Sequence, residues 1–69
     1  MNIILNEQAF RVLQQIEQTN ILPEQDTGGV YFDEEFYNWV AYKVLGKTIG
    51  FATFDTQVEG LKFLISHLD

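Results

Sequence analysis

The chain has 69 residues, ten of them aromatic, no cysteine, and ten acidic side chains against four basic ones for a formal charge of −6. That length predicts one small domain over residues 1–69, near the size at which a single core is marginal, with aromatic rings of roughly 150–250 Å² each making up buried area. The composition excludes a disulfide framework and a thiolate metal site. It also argues against direct nucleic-acid binding, because Arg11, Lys43, Lys47 and Lys62 are scattered and phosphate recognition needs clustered cations.

The opening run Met1-Asn-Ile-Ile-Leu5 is apolar but carries no basic residue and meets polar Asn6-Glu7-Gln8 at once. It reads as neither a signal peptide nor a membrane span, and with the absence of cysteine this gives the expectation of a cytoplasmic protein without a membrane partner. Asn6 is suited to cap a first helix, with Leu5 and Phe10 at the spacing of a hydrophobic staple. Ala9, Val12, Leu13, Ile16 and Asn20 fall on one face at helical spacing, with Phe10 at its edge. Thr19-Asn20 predicts the end, before Pro23 stops any continuation.

Glu24 to Gly29 reads as a polar loop, Val30-Tyr31-Phe32 as a short strand and Asp33-Glu34-Glu35 as a turn. The clearest signal follows. Trp39 to Leu45 and Thr48 to Phe54 are two strands joined by Gly46-Lys47, where glycine at the first central position predicts a type II′ turn. The register then runs from Leu45 opposite Thr48 to Trp39 opposite Phe54. Alternation puts Val40, Tyr42, Val44, Ile49, Phe51 and Thr53 on one face, the expected core face. Trp39, Ala41, Lys43, Leu45, Thr48, Gly50, Ala52 and Phe54 share the other, expected to lie outside.

Asp55 or Thr56 should cap a last helix, and Thr56 with Glu59 has capping-box spacing. Val58, Leu61, Leu64, Ile65 and Leu68 form its apolar stripe, leaving Gly60, Phe63 and His67 on the opposite side. The expected fold is α+β: helix, three-stranded antiparallel sheet, helix (αβββα), in two layers with both helices on one sheet face. In element order alone this resembles double-stranded-RNA-binding domains. Such domains need basic residues at the start of their last helix, where this chain has Asp55 and Glu59.

Catalytic chemistry finds little to work with. His67 and Ser66 are the only histidine and serine, and as helical neighbours their side chains diverge by about 100°, so they cannot act as base and nucleophile. The acidic run Glu24, Asp26, Asp33, Glu34 and Glu35 lacks the spacing and glycine of a calcium loop, and a solvated turn does not separate the pKa values of paired acids. His67, near a helix end, complements the helix dipole. Gly46-Lys47-Thr48 is a hairpin turn and not a phosphate loop. The expectation is therefore no enzyme, no metal and no cofactor.

Two surfaces remain. Trp39 and Phe54 on the outer sheet face, with Tyr31, Phe32, Phe36 and Tyr37 nearby, are candidate partner-binding residues. Gly60, Phe63 and His67 are a candidate self-association strip, which predicts a homodimer. The function expected from these features is a small acidic, non-catalytic protein-binding or regulatory module acting through the aromatic sheet face. The alternative is an acidic decoy inhibitor of the phage anti-defence type. In that reading Glu24, Asp26, Asp33, Glu34 and Glu35 form an acidic patch that occupies a basic, nucleic-acid-binding groove of a partner protein.

Overall fold

The computed structural model describes residues 2–23 and 26–66. In chain order these form β1 (Asn2–Leu5), α1 (Asn6–Thr19), β2 (Thr27–Asp33), β3 (Asn38–Leu45), β4 (Thr48–Phe54) and α2 (Gln57–Ser66). The strands make one sheet in the order β1-β2-β3-β4, with β1 parallel to β2 and the other pairs antiparallel. The fold is α+β, as expected, but the sheet is mixed and has four strands. A strand precedes the first helix, so α1 is the crossover that two parallel neighbours require.

The hairpin has the expected register at every position, from Leu45 opposite Thr48 to Trp39 opposite Phe54. Gly46 has φ +64 and Lys47 is not among the residues with positive φ, the pattern of a type II′ turn. The Thr56 hydroxyl accepts from the Glu59 N–H (3.2 Å) and lies 3.0 Å from Glu59 Oε1, so a capping arrangement opens α2. At the end of α1, Asn20 takes the left-handed conformation and its N–H reaches the Ile16 carbonyl (2.8 Å). The start of α1 differs from expectation. Asn6 has φ 58 and makes no cap; its Oδ1 accepts from Gln57 Nε2 (3.2 Å), joining the starts of the two helices.

The helices lie on opposite faces of the sheet, which corrects the two-layer arrangement. On one face Ala9 and Leu13 of α1 pack with Tyr42, flanked by Ile4, Tyr31 and Ile49. Gly28 and Gly29, expected in a loop, are buried in β2. A Cβ at Gly29 would lie 2.5 Å from the Tyr42 ring, so only glycine lets that ring cross β2. The Tyr42 hydroxyl then donates to the Ala9 carbonyl (2.6 Å).

On the other face Leu64 of α2 packs with Val30 and Ala41, flanked by Trp39, Phe54, Leu61 and Phe63. Gly60 makes this approach possible, since a Cβ there would meet Val30 at 3.0 Å and Ala41 at 3.6 Å. Val58 and Ile65, expected to be buried, are exposed instead. The surface expected around Trp39 and Phe54 is thus the inner wall of a second core. With four strands and a helix on each face, the likeness in element order to double-stranded-RNA-binding domains also ends here.

Two outcomes follow for stability. Burial, then the charge of Tyr31, pushes the Tyr42 hydroxyl up to about 12 from its ordinary 10.0. Between those values the unfolded chain gives up a proton that the folded chain keeps, so stability is whole below pH 10 and falls as the pH rises toward 12. Tyr42→Phe should cost about 1 kcal/mol at neutral pH and flatten that decline; an unchanged alkaline slope in urea melts would contradict the assignment. Trp39→Ala should cost about 2–4 kcal/mol in the same melts, whereas a loss below about 0.5 kcal/mol would place the ring outside the core.

Candidate functional site

The β2–β3 connection gathers most of the aromatic and acidic residues that the sequence singles out. Asp33 ends β2, Glu34 to Tyr37 make the turn, and Asn38 pairs back opposite Asp33. The turn needs no glycine because Asp33 takes over part of its hydrogen bonding. Its Oδ1 accepts from the N–H of Glu35 (2.9 Å) and of Phe36 (3.3 Å), an Asx-type closure.

This closure leaves two large rings in solvent. Phe36 is 71% exposed and Tyr37 82% exposed, the two most exposed aromatic residues of the described chain. Tyr37 also adopts φ 56, a conformation costing an ordinary side chain on the order of 1 kcal/mol. Its ring is not left loose. It meets Phe32 edge-on at 5.2 Å, and Phe32 meets Trp39 edge-on at 5.3 Å, so a ladder of rings runs from the second core out to the tip.

The other flank of the tip is a crevice of about 630 Å³. Asn6, Glu7 and Phe10 of α1 line one side, and Tyr31 to Glu35 the other. Phe10 and Tyr31 stand edge-on at 5.3 Å. Burial, followed by the charges of Asp33 and Glu17, raises the pKa of the Tyr31 hydroxyl. Glu7 is held by Arg11 one turn along the helix. Lys47 sits in the hairpin turn at the far end of β3. The tip is thus acidic, with aromatic rings between its carboxylates.

The structure brings together Tyr31, Phe32, Phe36 and Tyr37 with Asp33, Glu34 and Glu35. It separates the rest of the expected acidic patch: Asp26 precedes β2, roughly 20 Å from the tip at about 3.3 Å per strand residue, and Glu24 lies outside the described residues. Among the described residues no group of three acidic, histidine or cysteine side chains is placed to hold a metal ion. Trp39 and Phe54 are half-buried beneath α2, so they support the site from within and do not form its surface.

The self-association strip is likewise not a free surface. Gly60 is buried, Phe63 packs against Phe54 with ring centres 5.6 Å apart, and His67 lies outside the described residues. Ser66 donates its hydroxyl to the Phe63 carbonyl (3.1 Å). Asn6, Glu7 and Phe10 are the crevice residues that sequence reasoning missed, Phe10 being the one aromatic among them. The place of Phe10 at the edge of the apolar face of α1 was the available signal.

No protein-family model, curated protein or solved structure matches this chain. Among its described residues no helix is long and apolar enough to cross a membrane.

The strain at Tyr37 can be measured. Tyr37→Gly should relieve the left-handed conformation but forfeit the ring contact with Phe32, two effects of about 1 kcal/mol each, and so leave stability in chemical denaturation within about 0.5 kcal/mol of the parent. A variant less stable than the parent by about 1 kcal/mol would show that the ring contact outweighs the backbone cost.

Proposed function

We propose that this protein is a non-catalytic binding module whose acidic, aromatic tip enters a basic groove on a partner protein. The observation that carries the reading is the exposure of Phe36 and Tyr37 beside Asp33, Glu34 and Glu35, on a turn closed by its own Asx contacts. Exposed rings held in fixed positions supply contact area at small entropic cost, and the surrounding carboxylates select a cationic rim. Phe32 and Trp39 back the Tyr37 ring from the core side, and the Asp33 contact to its N–H fixes the backbone of Phe36, so the tip is positioned before any partner arrives.

The partner contact moves, in this reading, from the Trp39–Phe54 sheet face to the turn. The decoy alternative narrows in the same way. With Asp26 at the other end of β2, the carboxylates at hand are Asp33, Glu34, Glu35 and the nearby Glu7. That set suits a local basic groove better than an imitation of a long phosphate backbone. A groove that otherwise receives nucleic acid remains one member of the class.

The test is a quantitative pull-down from the source cell, with the captured protein then titrated in purified form. Glu34→Lys with Glu35→Lys should weaken binding at least about tenfold, as should Phe36→Ala with Tyr37→Ala, and added salt should weaken the parent interaction steeply. A captured protein that binds both double variants as tightly as the parent, at every salt concentration, would overturn the proposal.

A further inference from the structure

The far edge of the sheet presents a second surface, unrelated to the tip. β4 is an edge strand, and among the described residues no element pairs with its outer side. Its seven residues, Thr48-Ile-Gly-Phe-Ala-Thr-Phe54, contain no charge and no proline, and its unbroken register with β3 leaves no bulge. Edge strands of soluble proteins ordinarily carry one of those devices to prevent pairing. The opposite edge, β1, is only four residues long. α1 lies over β1 and β2 and does not reach β4, so Phe51 is left 54% exposed on that face.

Hydrogen-bond geometry selects a register for this edge. A two-residue loop makes Leu45 and Thr48 a hydrogen-bonded pair, so alternation directs the main-chain groups of Thr48, Gly50, Ala52 and Phe54 to β3. Those of Ile49, Phe51 and Thr53 point outward. An antiparallel partner strand satisfies the most of them when centred opposite Phe51. Lys47 immediately precedes the strand and Asp55 immediately follows it, both exposed.

We propose that β4 pairs antiparallel with β4 of a second copy, about a two-fold axis at Phe51, to form a dimer with one continuous eight-stranded sheet. Phe51 then faces the second copy's Phe51, and Ile49 faces the second copy's Thr53. Lys47 reaches the second copy's Asp55 at each end, so the only charges bordering the strand are opposite in sign where the copies meet. A like copy is favoured over an arbitrary strand because this one segment supplies the outward donors, the aromatic pair and both members of each ion pair. The axis places both copies of α1 on one face and both copies of α2 on the other, and it leaves the acidic tips outside the interface.

Sedimentation equilibrium of the full chain up to about 1 mM measures the dimer directly. Lys47→Asp and Asp55→Lys should each weaken it about tenfold, and the chain carrying both should recover to within about threefold of the parent. Phe51→Arg, which sets like charges opposite each other at the axis, should leave only monomer. Circular dichroism would confirm that each variant keeps the parent's fold, since all three side chains are exposed. A parent that stays monomeric to about 1 mM, a dimer indifferent to the charge reversals, or open-ended aggregates in place of a dimer would each overturn the proposal.

Discussion

Ala41 and Tyr42 are consecutive residues of one strand, and both are fully buried. Successive strand side chains point to opposite faces, so this sheet must be covered on both sides. Everything else in the architecture follows from that constraint. α1 answers it on the Tyr42 face, and α2 answers it on the Ala41 face. Two thin cores share one sheet, built mostly of aliphatic side chains, and Tyr42 is the one aromatic residue fully buried among the described residues.

Small residues make the double coverage possible. Gly29 vacates the space that the Tyr42 ring occupies, and Gly60 lets α2 come down onto Val30 and Ala41. Neither glycine marks a loop or a free helix face. Each marks a place where another group comes too close for a methyl. Once α2 is seated, Trp39 and Phe54 are half-covered and no longer a free face, and the turn between β2 and β3 becomes the place where aromatic rings and acidic groups reach solvent together. The tip is consequently tied to the core through Phe32 and Trp39.

The hairpin and the helix spans were legible because their signals are local: a glycine at a turn, alternation, a capping pair and an asparagine at a helix end. The residues of the tip were legible as candidates for the same reason, since a run of acids and aromatics is visible along the chain. Their relation to Asp26 was not. What stayed hidden depends on contacts between distant segments. Asn2–Leu5 is too short to announce a strand, and its parallel partner lies beyond a whole helix. The face that α2 buries was read only in part: Leu61 and Leu64 turn inward as expected, but hydropathy favoured Val58 and Ile65, whereas close packing brings in Gly60 and Phe63. A periodicity reading weighs the transfer of side chains from water and misses the room that a glycine makes.

The claim on which the functional reading depends is that α2 covers the Trp39–Phe54 face. Nuclear Overhauser contacts in solution test it most directly. The account predicts contacts from the Gly60 α-protons to the Ala41 methyl and the Val30 methyls, and from the Phe63 ring to the Phe54 ring, while Tyr42 shows contacts to Ala9 and Leu13. Contacts from α2 to Tyr42, with Trp39 and Ala41 touching neither helix, would contradict it and return the partner surface to the sheet face.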